Sequence, residues 1–154
     1  MTSLATIGYE GRAQHDVLTL LTDADVQLLI DVRIRAQSRK PGFSKSTLAA
    51  GLGEVGIGYE HLRALGTPVD IRDRFRAGAV EEGREQYREY LRGDPMAAAE
   101  LERLASIIES HGDGEVAILC FEHDPRHCHR MVICEELAAS HGVTAEHLGA
   151  PSVA

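Results

Sequence analysis

The chain has no tryptophan, only four tyrosines and three phenylalanines, three cysteines, and no core-like apolar run longer than VAILCF. Each scarcity excludes something. A helix that crosses a bilayer needs about 20 consecutive apolar residues, and the start MTSLATIGYE lacks the basic stretch and apolar core of a secretory leader. A cytoplasmic protein with no membrane partner is expected. Three cysteines, at 120, 128 and 134, are an odd number without a framework spacing, so free thiols are expected rather than disulfides. Lys and Arg are outnumbered 16 to 24 by Asp and Glu, for a net charge of -8, which argues against a surface coated for non-specific nucleic-acid binding. Repeats, low-complexity tracts and linkers are absent too, so residues 1–154 read as a single domain. That length buries a core without crosslinks.

What is present is alternation. LATIGY (4–9) and VQLLIDV (26–32) read as strands, with the helical spacing of HDVLTLLTDA between them. Ser44 reads as the N-cap of a helix ended by Gly53 and Gly56, and IGYEHL (57–62) follows as a third strand. Two helices come next, one over 73–92 and one opened by Asp94 and Pro95. EVAILCF (115–121) is the fourth strand, a helix covers 128–140, and VTAEHL (143–148) is the fifth. Strands alternating with helices predict a Rossmann-like, three-layer α/β/α domain with about five mainly parallel strands. The long two-helix crossover suggests the order 3-2-1-4-5. Ligands of such sheets bind beyond the carboxyl ends of the strands. Those ends carry Tyr9, Glu10 and Gly11; Asp31, Arg33 and Arg35; His61; Cys120, Glu122 and His123; and His147.

The motifs IGYEGR, LIDVRIRAQSRKPGFSK, IGYEHLRALG and LCFEHDPRHCHR together resemble the bacterial family called domain of unknown function 488, over nearly the whole chain. The family pattern falls on Gly8, Tyr9, Asp31, Arg33, Ser38, Arg39, Phe43, His61, Leu62, Cys120, Glu122, Pro125, Cys128, His129 and Arg130. The resemblance brings no reaction with it and leaves any cofactor unknown. Ala36 stands where relatives tend to have proline, which predicts a looser basic loop.

The stretch CFEHDPRHCHRM (120–131) is open to four uses. It fits the C-x5-R spacing of thiol phosphatases, but with Glu122 and Asp124 in a loop that would have to attract phosphate. Cys120, His123, Cys128 and His129 are the right types for zinc, yet they lack the two close pairs of a structural site, so no metal is expected. A third use is an anion pocket at the start of the last helix, where amides and dipole join Arg33, Arg35 and Arg130. The fourth is structural, with Cys120 a small core residue and Asp31 paired to Arg33.

The expected function is an enzyme acting on a phosphorylated small molecule or nucleotide. Arg33, Arg35, Arg39 and Arg130 bind the anion, Glu122 is the base, and Cys128 or Cys120 the nucleophile. Tyr9, Glu10, Gly11, Asp31, His61 and His129 complete the pocket. Cys128 is expected to be the reactive thiol and Cys120 to lie in apolar surroundings. The alternatives are a module that binds nucleic acid or a protein through the basic loop 33–45, which holds five of the 16 Lys and Arg, and a metal-binding site at Cys120, His123, Cys128 and His129. An enzyme encloses these residues in a concave pocket, whereas a module displays Arg35, Arg39, Lys40 and Lys45 on a convex face.

Overall fold

The computed structural model describes residues 2–150. Its elements are β1 (Ser3–Gly8), α1 (Gln14–Asp23), β2 (Leu28–Asp31), α2 (Lys45–Glu54), β3 (Gly58–His61), α3 (Val69–Arg76), α4 (Val80–Gly93), α5 (Pro95–Glu109), β4 (Val116–Cys120), α6 (His129–His141) and β5 (Thr144–His147). Short 3-10 turns occupy Arg63–Leu65 and Pro125–His127. All strand pairs are parallel. Among the described residues no helix is long and apolar enough to cross a membrane.

The expected α/β/α layering is present, but the strand order is β3-β2-β4-β1-β5, not 3-2-1-4-5. β1 and β4 are neighbours in both; the difference is that β4 inserts between β1 and β2. The reason lies in composition. β4 is VAILC, apolar throughout and buried at every position, whereas β1 carries Ser3 and Thr6. A parallel strand in the middle of a sheet is covered on both faces, and the most apolar strand takes that place. The polar TAEH of β5 forms an exposed edge. The helix expected over 73–92 is two helices, because Gly78 turns the chain at φ 86° between α3 and α4.

Period-two alternation sorts β4 between two cores. Ala117 and Leu119 pack with Val17 and Leu21 of α1 and Leu48 and Leu52 of α2. Val116, Ile118 and Cys120 face the other layer, with Tyr87 and Leu91 of α4, Leu104 and Ile108 of α5, and Val132 and Leu137 of α6. Cys120 thus points toward the helix that begins after Cys128. Asp94 caps α5 as expected, accepting from the Ala97 amide at 3.0 Å. Ser44 precedes α2 but makes no cap bond. Its hydroxyl joins Ser38 instead, donating to the Ser38 carbonyl and accepting from the Ser38 amide, each at 3.2 Å.

Gly8 ends β1 opposite Cys120. Its hydrogen faces the Glu122 carbonyl so closely that a methyl there would overlap the oxygen, with the Arg130 guanidinium just behind. Gly8→Ala is therefore expected to cost about 3 kcal/mol or more, at the upper end of overpacking changes, read as a lower urea midpoint with an unchanged slope.

Candidate functional site

Arg130 lies on the first turn of α6 and is fully buried. Its Nε donates to Thr6 Oγ1 at 3.2 Å, Nη1 to Cys120 Sγ at 2.9 Å and to the Glu122 carbonyl at 2.5 Å, and Nη2 to the His123 carbonyl at 3.2 Å. None of these acceptors is a carboxylate. Burial pulls its pKa down to about 10, the direction expected when a cation is taken out of water. Thr6, also fully buried, is the polar residue in β1 that this guanidinium requires. Arg130 consequently presents its donors to protein, not to the space outside.

The loop 121–126 follows from this. Its carbonyls at 122 and 123 turn toward Arg130, and the His123 amide donates to Glu10 Oε1 at 3.0 Å. A C-x5-R phosphate loop needs converging amides; here carbonyls converge beside Cys120. Arg126 turns outward to Asp124, at 2.7 Å. The C-x5-R spacing is thus not a phosphate-binding loop.

Cys120 and Cys128 are both buried. Their sulfurs touch at bonding distance, so the expectation of three free thiols holds for Cys134 alone, while their Cα atoms stand 7.7 Å apart. Cys128 is the N-cap of α6, its sulfur accepting from the Arg130 amide at 3.5 Å. The expected contrast between a screened Cys120 and an accessible Cys128 is absent: both are equally enclosed, and it is Cys120 that receives the charged donor. His129 donates from Nε2 to the Val32 carbonyl at 2.9 Å, leaving Nδ1 toward Cys128 Sγ at 3.6 Å. Burial lowers the His129 pKa to about 4, so the ring is neutral at pH 7. Cys134, on the same helix, is buried and its thiol pKa is pushed up to about 12 by desolvation.

Asp31 and Arg33 form a buried pair. The Asp31 carboxylate takes Nε of Arg33 at 2.8 Å, Nη2 at 2.7 Å and the Tyr59 hydroxyl at 2.6 Å. Nη1 of Arg33 reaches the Tyr9 hydroxyl at 3.2 Å and the Phe43 carbonyl at 2.8 Å. Burial disfavours the Arg33 charge, but Asp31 outweighs it and the net shift is upward. The Tyr9 ring stacks on Phe43 at 4.4 Å. Lys45 closes the loop by donating its amide to the Ala36 carbonyl at 2.8 Å. The basic loop is thus tied at Ala36 to the start of α2.

Beyond the carboxyl ends of β2 and β4 and under α3 lies a cleft of two lobes, about 520 Å3 and about 490 Å3. Thr67, Arg72, Arg76, Glu122 and His129 line both. Tyr9, Arg33, Arg35 and Cys120 belong to one lobe, Glu10 and Cys128 to the other. Glu122 is partly buried, and desolvation raises its pKa despite the nearby Arg130. His61, Arg39 and again Arg35 line a separate, open depression of about 830 Å3 beside α2. His61 Nε2 pairs with the Arg33 carbonyl at 2.6 Å. Gly11, at φ 75°, shapes the turn after β1 and lines neither. His123 faces Arg12 at 3.1 Å.

Arg72 and Arg76 were not among the residues expected from sequence. Their signal was available: in VDIRDRFR they sit four apart, on one helical face. Neither makes a salt bridge among the described residues, and Nε of Arg72 is buried without a partner.

Arg33→Met would leave Asp31 buried with only the tyrosine hydroxyl and backbone to hold it. A loss of about 3–5 kcal/mol is expected, the range for one partner removed from a buried pair, measured by chemical denaturation; the double change Asp31→Asn with Arg33→Met should recover part of it.

No curated protein and no solved structure matches the chain. Residues 14–137 match the family described as Domain of unknown function DUF488, a span that includes the basic loop, α3 and the whole Cys120 to Arg130 segment but leaves out β1 and its turn. The chain belongs to that family.

Proposed function

We propose that the cleft is the active site of an enzyme acting on a phosphorylated small molecule or nucleotide. The observation that carries this reading is the buried, unpartnered Nε of Arg72. A buried donor left unsatisfied costs about 1–3 kcal/mol, and an acceptor oxygen supplied by a ligand removes that cost. Arg76 and Arg35 line the same space without a salt bridge among the described residues, so the electrostatics favour a dianion over a single carboxylate. Arg33 and Arg130 serve by fixing the floor, since their donors are already used. Glu122 is the general base: it lines both lobes, and its carboxylate has no hydrogen-bond partner among the described side chains. The concave placement of Cys120, Glu122 and His129 supports an enzyme over a display surface.

The open depression with Arg35, Arg39 and Lys45 supports a second reading, a face for nucleic acid or a protein partner. Substitutions separate the two. Inorganic phosphate or a mononucleotide at about 100 times its Kd is expected to raise the Tm by roughly 5–10 °C. Arg72→Ala and Arg76→Ala should each remove most of that rise, and Arg39→Ala should not. Glu122→Gln should bind the anion a few-fold more tightly, because one negative charge leaves the cleft. Loss confined to Arg39→Ala and Lys45→Ala would transfer the anion to the open face, and no shift with any phosphate compound would remove the enzyme reading.

A further inference from the structure

We propose that Cys120, Cys128 and His129 bind one zinc ion, with the fourth coordination position open to the cleft. Their ligand atoms lie within 4.8 Å of one another. Around a tetrahedral zinc, with bonds of about 2.3 Å to sulfur and about 2.0 Å to nitrogen, ligand atoms stand roughly 3.3–3.8 Å apart. The two sulfurs, in contact in the structure, have to part by side-chain rotation to reach that spacing.

Three further observations point to a metal. The first is the tautomer. Nε2 of His129 donates to the Val32 carbonyl, so the lone pair is on Nδ1, the atom that faces Cys128 Sγ. A ligating histidine held through its other nitrogen by a backbone carbonyl is the usual supporting arrangement. The second is the backbone distance. At 7.7 Å between Cα atoms, the two cysteines stand wider than the roughly 4.4–6.8 Å of a relaxed disulfide, so the backbone leaves room for the touching sulfurs to part around an ion. The third is the donor pattern. Nη1 of Arg130 points at Cys120 Sγ and the Arg130 amide at Cys128 Sγ. Thiols are weak acceptors; metal-bound thiolates carry the negative charge these donors suit.

The site differs from the set that sequence spacing offered. His123 is turned away to Arg12, which leaves three protein ligands, the number found in catalytic zinc sites. Cys120 and His129 line one lobe of the cleft, Cys128 and His129 the other, so the vacant direction faces Glu122 and Arg72. On loading, the thiol protons are released to solvent and two thiolates neutralise the ion. The ion then polarises a water or a ligand oxygen in the cleft. The metal site does not rest on the anion reading.

The test is metal analysis of the full chain, purified under reductant without chelator and supplied with zinc. Close to one zinc per chain is expected, and exchange for cobalt(II) should give a thiolate-to-cobalt charge-transfer band in the near ultraviolet. Cys128→Ser and His129→Ala should weaken zinc binding by more than about a hundredfold, beyond the 10–100-fold typical of changes to supporting residues. Cys134→Ser and Arg72→Ala should leave the stoichiometry unchanged, which separates this site from the anion-binding arginines. If the variants fail to fold, the cobalt spectrum of the native chain decides. Two results would overturn the proposal: a reduced protein with all three thiols titratable that takes up neither zinc nor cobalt at micromolar concentration, or a protein in which Cys120 and Cys128 are recovered as a disulfide after purification under reductant.

Discussion

The buried guanidinium of Arg130 is the constraint around which the carboxyl edge of the sheet is arranged. A cation enclosed in protein must find an acceptor for each donor, and here the acceptors come from β1, from the end of β4 and from the loop after it. Their positions follow from this. Thr6 replaces an apolar residue in a buried strand, Gly8 has no side chain because the Glu122 carbonyl occupies its space, and the loop turns its carbonyls inward. That inversion removes a phosphate loop and leaves the Cys120 sulfur facing the Arg130 guanidinium.

The layers and most element boundaries were legible in the sequence because they depend on local pattern: helical spacing in α1, Asp94 and Pro95 before α5, the apolar run of β4. Strand order was not. Both the expected and the observed order satisfy the same crossovers and keep β1 beside β4. The choice turned on how apolar β4 is relative to β1, a comparison across the sheet and not along the chain. Its consequence for the site is direct, since placing β4 next to β2 brings the Val32 carbonyl to His129 and the Asp31–Arg33 pair beside Cys120.

Residue types at the site were legible, but their availability was not. Arg33, Arg35, Arg39 and Arg130 look alike in sequence. Only three-dimensional pairing shows that two of them are consumed by Asp31, Tyr9, Thr6 and carbonyl groups, whereas Arg72 and Arg76, one turn apart on α3, make no salt bridge among the described residues. The cysteines show the same thing in reverse. Eight residues apart, they lack the spacing of a ligand pair, yet the 3-10 turn over Pro125–His127 folds the chain back so that their sulfurs meet.

Gly78 separates α3 from α4, and with that break the chain divides its labour. The sulfurs, the imidazole and Glu122 all come from one uninterrupted stretch, the end of β4 through the start of α6, which is tied together by the buried Arg130. The unpaired arginines come from a short helix attached on the far side of a glycine, outside the strand framework. On the proposed reading, reactive chemistry and ligand choice are therefore encoded on separate segments. Ile71 ties α3 to the core, while Arg72 and Arg76 line the cleft; on that reading, a change of charge at these two positions alters what the cleft accepts and leaves the contacts of the β4–α6 segment in place.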